Sequence, residues 1–212
     1  MRRISKMKKK RSHVVRNSYS EIALKYHKQR GKYPNKRLIS KFLRLVPKNS
    51  EILDLGCGAG VPISKFLSDK GYKVTGIDFA DGMLNLARKN VPKAKFIKMD
   101  MTNLKFNPNS FDGAVSFYAI IHVPREKHSR IYKMLHKILR PQAIMLLNAG
   151  GGGTDNWEEY SQNYMGVPMF WSFYNPKKTL GIIRGEGFRI LWSNVLKLGG
   201  ENQFWVLAEN KK

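Results

Sequence analysis

Two hydrophobic periods divide this chain. Apolar residues recur at helical spacing from Ser18 to Arg30 and again from Asn35 to Val46. In the second stretch Leu38, Phe42 and Leu45, with Ile39, Leu43 and Val46, trace one broad face that Pro34-Asn35 opens and Pro47 stops. Beyond residue 50, short apolar runs alternate with helical patterns. The runs lie at residues 51–55, 72–78, 95–100, 111–118, 144–148, 188–194 and 203–208, and each predicts a strand. Helices are predicted over Pro62–Lys70, from Asp81 onward, over Pro124–Leu139 and, weakly, over Pro176–Glu186. Asp81 is the expected N-cap of the second of these, and Pro124 the expected first residue of the third. Strand and helix in alternation predict an α/β fold with a doubly wound, mainly parallel sheet. Gly199-Gly200, between the last two runs, adds an antiparallel hairpin at the sheet end.

Two stretches fall outside this alternation. Residues 1–17 carry almost no apolar side chains and are expected to be a basic flexible tail, leaving 18–212 as a single domain with 18–46 as covering helices. Between Ala149 and Asn175 neither period holds: Gly150 to Gly153 read as a flexible hinge, and Trp157, Tyr160, Tyr164, Met165, Met169, Phe170, Trp171, Phe173 and Tyr174 crowd the rest of the stretch. Residues 149–175 are therefore expected to form an aromatic lid or insert, with Trp157, Tyr164, Met169 and Trp171 contacting a substrate. An oligomer face over 157–174 is the competing reading, because Trp, Tyr and Met are also enriched at interfaces. Glu158 and Glu159 put acid in this segment, which makes a cationic or amine substrate conceivable.

Composition changes the picture in two ways. No apolar run approaches the roughly 20 residues needed to cross a bilayer, so a cytoplasmic protein is expected, and the lone Cys57 permits neither an intrachain disulfide nor a thiolate-rich metal site. Cys57 is read as a small filler inside its turn. The charge is unusual: 39 Lys and Arg against 15 Asp and Glu give +24, and residues 1–50 alone carry 17 basic residues and one acidic. A basic region of that density invites RNA or another polyanion, or serves solubility alone.

The chemistry concentrates in Glu51-Ile-Leu-Asp-Leu-Gly-Cys-Gly-Ala-Gly60. A short buried strand runs into three alternating glycines and then a helix, which makes a nucleotide-cofactor cradle. The dinucleotide fingerprint is Gly-x-Gly-x-x-Gly, whereas the spacing here is Gly-x-Gly-x-Gly with Val61 next. Asp54 at the strand end would repel a pyrophosphate and attract an ammonium or sulfonium. Asp78 ends the second strand twenty residues after Gly58, where a carboxylate accepts hydrogen bonds from ribose hydroxyls.

On Leu53-Asp54-Leu55-Gly56-Cys57-Gly58-Ala59-Gly60 the chain resembles the class I S-adenosylmethionine (SAM) dependent methyltransferases, and in its His-bearing fourth-strand end the small-molecule group related to ubiquinone and menaquinone biosynthesis. The resemblance spans about 30 to 210 and implies a seven-stranded Rossmann-like sheet with a reversed last strand, SAM as cofactor, and a small-molecule methyl acceptor. It implies that Gly56, Cys57, Gly58 and Gly60 border the methionine part, with Asp54 holding its ammonium. Asp78 is then the ribose partner, Asp100 and Met101 meet the adenine, and Phe79, Met83 and Phe117 line the cofactor. Tyr19, Ala23 and Tyr26 look like the segment that closes over the cofactor in many relatives, with Tyr33 a further seven residues on; Tyr19 and Tyr26, with His122, are expected to bind the substrate or, alternatively, Tyr19 and Tyr26 pack against the core.

The fourth strand runs into Ser116-Phe-Tyr-Ala-Ile-Ile-His122-Val-Pro124, without the Asn/Asp-Pro-Pro-Tyr/Phe element of the enzymes that methylate nucleobase amines, without a Pro-Cys nucleophile and without paired glutamates. His122, with an ordinary pKa of about 6.5, suits a general base at this rim or, alternatively, a helix cap. Asp112 is read as structural, and Gln142, where relatives carry Gly, is expected in a type I turn. Two rivals to small-molecule methyl transfer remain open: an RNA methyltransferase using the basic first quarter, and a SAM-binding module without catalysis.

Overall fold

The period-two runs become a sheet because each places its alternate side chains on opposite faces. The computed structural model describes residues 2–30 and 36–212. Its strands are β1 (Glu51–Leu55), β2 (Lys73–Asp78), β3 (Lys95–Lys98), β4 (Phe111–Ser116), β5 (Leu139–Gly151), β6 (Trp157–Tyr164), β7 (Val167–Phe173), β8 (Phe188–Leu198) and β9 (Glu201–Asn210). Seven of them form one sheet in the order β3-β2-β1-β4-β5-β9-β8. The first five strands in this order pair parallel, and β9 is antiparallel to both of its neighbours. The doubly wound α/β fold and the reversed last strand are thus as the sequence predicts.

Along β5, Met145 and Leu147 enter one core while Ile144 and Leu146 enter the other; on β9, Phe204, Val206 and Ala208 alternate with Trp205 and Leu207 in the same way. The helices are α1 (Arg2–Glu21), α2 (Ala23–Arg30), α3 (Lys36–Leu43), α4 (Ile63–Asp69), α5 (Asp81–Asn90), α6 (His128–Ile138) and α7 (Pro176–Gly185). Ile131, Leu135 and Ile138 of α6 with Ile183 of α7 close the first core. Leu38, Ile39 and Phe42 of α3, with Leu67 of α4, close the second. Each such side chain contributes roughly 1.5–3 kcal/mol by leaving water. Asp112 is structural: its carboxylate accepts from the Glu51 N–H at 2.8 Å and pairs with Arg140 at 2.6 Å, tying the starts of β1 and β4 to β5.

Several local expectations are corrected. The helix expected from Ser18 to Arg30 is broken at Ile22 into α1 and α2, and α1 already begins at Arg2, within the stretch read as a tail. Its apolar side, Val15 and Tyr19 with Ile22 just beyond its end, is too sparse to announce a helix by itself, but Val167, Met169 and Phe170 of β7 cover it. Pro34-Asn35 and Tyr33, read as a helix opening and a third spaced tyrosine, lie outside the described residues.

Asp81 is the first residue of α5 and Ala80 its cap, because Asp81 pairs with Lys98 on the neighbouring β3. Pro124 precedes a short 3-10 turn, Arg125–Lys127, and α6 begins only at His128. Gln142 stands at φ +62°, in the left-handed region, instead of a type I turn; the pairing of β5 with β4 on both sides of it holds it there at about 1–2 kcal/mol of backbone cost.

The largest correction concerns residues 149–175. They are not an irregular glycine-hinged loop: β6 and β7 form an antiparallel hairpin. Gly150 and Gly151 are the end of β5, and a Cβ on Gly150 would lie 2.7 Å from the Phe173 ring, so the glycine admits an aromatic neighbour. Turns and polar residues on β6 obscure a strand that alternates only weakly.

Candidate functional site

The carboxyl ends of β1, β2 and β4 open on one cavity at the point where the strand order reverses direction, the place where open α/β sheets bind ligands. The glycines after β1 have distinct physical tasks. Gly56 has φ +69°, and a Cβ there would lie 2.2 Å from the Ala119 Cβ. Gly58 has φ +52° with only the Met83 sulfur near, at 3.9 Å, so its missing side chain leaves the cavity open. Gly60 does not line the cavity; its absent Cβ makes room for Val91, Phe96 and the Ala87 backbone at 3.1–3.4 Å. Cys57 is buried, its sulfur would lie 2.9 Å from a Cβ at Gly76, and burial pushes its thiol well above the ordinary range, as suits a packing group.

Three carboxylates line the cradle. Asp54 is buried and accepts from the Ser64 hydroxyl at 2.6 Å. Burial raises its pKa to about 7, against the lowering effect of Ser64, and the negative charge of Asp78 adds to the rise. Asp78 accepts from the Gly58 N–H at 3.0 Å and the Ala80 N–H at 2.9 Å, which clamps the glycine turn to the start of α5. Burial raises its pKa too, and these backbone donors oppose the rise. Asp100, exposed beyond β3, accepts from the Thr102 N–H at 2.7 Å. Phe79, Met83, Met101 and Phe117 complete this side, and the Phe117 ring also packs on Trp205 at 4.8 Å.

The other side is assembled from distant segments. Tyr19 on α1 and Tyr26 on α2 line the cavity with their rings edge to face at 5.1 Å. His122, buried in a 3-10 turn after β4, is held at both nitrogens: Nδ1 lies 2.7 Å from the Phe170 carbonyl of β7, and Nε2 lies 2.8 Å from the Tyr19 hydroxyl. A carbonyl only accepts, so Nδ1 carries a proton, and in the neutral ring Nε2 accepts from the phenol. His122 is thus a paired group facing the cavity, not a helix cap.

Trp157, Tyr164, Met169 and Trp171 do not line the cavity. Met169 is core beside Val15, Trp157 is half exposed, and Trp171 lies between the His122 ring at 5.8 Å and the Tyr164 ring at 5.2 Å. Glu158, expected to offer acid to a substrate, is taken by Arg11 at 2.8 Å and Arg125 at 3.3 Å. The hairpin supports the wall from behind.

Sequence reasoning missed several lining residues. His27 follows Tyr26 and sits one helical turn beyond Ala23, which packs against Ala59 of the glycine turn; its buried Nδ1 has no hydrogen-bond partner among the described residues. Tyr118 lines the wall at φ +59°, a strained setting for a non-glycine residue that no sequence signal announces. Lys127 lines the far end beside Pro124 and Val123. Among the described residues no helix is long and apolar enough to cross a membrane.

Residues 52–142 match the methyltransferase domain family. The chain is 30% identical over 107 residues to the demethylmenaquinone methyltransferase of Staphylococcus epidermidis, covering 48% of this chain and 43% of that protein. It is 27% identical over 122 residues to the phosphoethanolamine N-methyltransferase of Plasmodium falciparum, covering 56% and 46%. The chain thus spans less than half the length of these curated relatives. Among solved structures, a SAM-dependent methyltransferase from Methanosarcina mazei superposes with a TM-score of 0.69 at 24% identity, over 80% of this chain and 96% of that one. The 1,6-didemethyltoxoflavin-N1-methyltransferase of Burkholderia thailandensis, solved with S-adenosylhomocysteine, gives 0.74 at 16% identity, over 97% and 91%. Residues 52–142 thus match a methyltransferase domain, and the sheet built around them has the Rossmann-like fold of the S-adenosylmethionine-dependent methyltransferases.

Proposed function

We propose that this protein transfers a methyl group from SAM to a small-molecule acceptor bound beside His122. The observation that carries the reading is a single cavity joining the carboxylate cradle to the hydrogen-bonded Tyr19–His122 pair. The residues present fit the cofactor. Asp78 lines the cavity with its carboxylate fixed by backbone donors of Gly58 and Ala80, which suits a partner for ribose hydroxyls. Asp54, buried against its own charge, gains from an ammonium placed beside it. Gly58 leaves space for the methionine part, and Asp100 and Met101 stand past β3 for the adenine.

The cofactor supplies a methyl on a sulfonium, already a strong electrophile, so the chain's work is alignment, exclusion of water and disposal of one proton. Tyr19, Tyr118 and Val123 wall the acceptor's place, and the acceptor atom that gains the methyl loses a proton. That proton passes to the Tyr19 oxygen as the phenol gives its own to His122 Nε2, while the Phe170 carbonyl keeps Nδ1–H and so fixes the ring for this task.

The test is a screen of metabolite and RNA fractions with methyl-labelled SAM. Label in a low-molecular-weight product supports the reading. Label in RNA would reverse it in favour of the basic first quarter, and SAM binding with no transfer to any fraction would favour a non-catalytic module.

A further inference from the structure

The cavity is charged oppositely at its two ends. Its acid is confined to Asp54, Asp78 and Asp100, all in the cofactor cradle. At the end formed by His122, Val123 and Pro124 the described lining holds Lys127 and no carboxylate. Lys127 is half-buried, closes the 3-10 turn after Pro124 and is fixed there by its N–H to the Pro124 carbonyl at 2.8 Å. Neighbouring acid is spent elsewhere. Glu158 is shared between Arg11 and Arg125, and Glu126 is exposed and outside the lining. No ion pair to Lys127 occurs among the described residues.

We propose that Lys127 is the counter-ion for an oxyanion on the methyl acceptor, so that the acceptor is an apolar-bodied molecule carrying a negative group. This rests on the acceptor site proposed above. A half-buried lysine in a wall shared with Val123 and Pro124 is less screened than one in water, which favours an anion there and penalises a second cation. The same arrangement orients the acceptor, with its anionic group at Lys127 and its nucleophilic atom toward Tyr19 and His122. The net charge of +24 gains a purpose as well, since it draws an anionic small molecule toward the protein. The amine substrate suggested by Glu158 and Glu159 is disfavoured on the same grounds.

The test uses a matched fluorescent pair: 8-anilinonaphthalene-1-sulfonate, which carries an oxyanion on an apolar body, and the neutral N-phenyl-1-naphthylamine. Both are titrated into the full chain with and without saturating S-adenosylhomocysteine. Lys127→Met, which keeps the apolar stem, is expected to weaken the sulfonate about fivefold, the scale of a partly exposed charge pair, and to leave the neutral probe unchanged. Lys127→Arg retains the sulfonate, and Lys89→Met, at an exposed position on α5, changes neither. Unchanged sulfonate binding in Lys127→Met, or equal weakening of both probes, overturns the proposal. Failure of S-adenosylhomocysteine to bind would instead count against the cofactor site, and the Lys127 comparison would still be read from the titrations without it.

Discussion

The two halves of the cavity are built by different means. The half proposed for the cofactor comes largely from residues 54–101, where consecutive strand ends deliver Asp54, Asp78 and Asp100 and backbone N–H groups of Gly58 and Ala80 set the Asp78 geometry. The half proposed for the acceptor joins α1, the turn after β4 and the β6–β7 hairpin, so that Tyr19 and His122 meet across 103 residues and His122 and Phe170 across 48. A half made from one local motif is rigid and readable. A half made from three segments is held by a few side-chain contacts, and it can diverge without disturbing the sheet.

Variants in the two halves should therefore fail differently. Gly56→Ala forces a side chain into a left-handed position 2.2 Å from Ala119, so urea unfolding should register a loss of about 2–5 kcal/mol, whereas Gly166→Ala, with nothing within 4 Å, should cost only about 1–2. Equal losses would mean that the close approach at Gly56 carries no weight. Tyr19→Phe removes the hydroxyl from His122 Nε2, and turnover should drop by about a hundredfold while SAM affinity persists. A parallel loss of SAM binding would move Tyr19 to the cofactor half.

The third contrast is with pH. Because the pKa of Asp54 is raised to about 7, its contribution to folding is full below its ordinary value of 3.8 and is lost as pH rises through 7. An ammonium beside it favours the charged form, so cofactor affinity has the opposite slope. Titrations should find SAM binding about tenfold weaker at pH 5.5 than at 7.5, with a flatter profile in Asp54→Asn. The smallest effect is expected at Glu158→Gln, whose partners Arg11 and Arg125 are partly exposed: at most about 1 kcal/mol in thermal unfolding. A larger loss would make the ion pairs, and not Val15, Met169 and Phe170, the main attachment of the hairpin.

The same contrast explains how much can be read from the residues alone. The alternation of strands and helices, the reversed β9 and the glycine turn with its carboxylates are legible because each rests on short-range signals: periodicity, glycines and acids at strand ends. Gly60 is legible as a required glycine but not in its reason, because the ring it accommodates, Phe96, arrives from another strand. His27 and Lys127 carry no pattern at all, since only the packing of α2 on the glycine turn and the 3-10 turn after Pro124 bring them to the cavity. The hairpin escapes a reading by periodicity because β6 exposes most of its residues and offers almost no buried face to set a period.

Asp78 both clamps the glycine turn and lines the cavity. Calorimetric titration of SAM into the wild-type chain and Asp78→Ala tests the central claim most directly. One site per chain is expected in the wild type, with an affinity at least about tenfold lower in the variant, since a charge-assisted bidentate partner is lost. Unchanged affinity in Asp78→Ala, or displacement of SAM by NAD from the wild-type site, would contradict it.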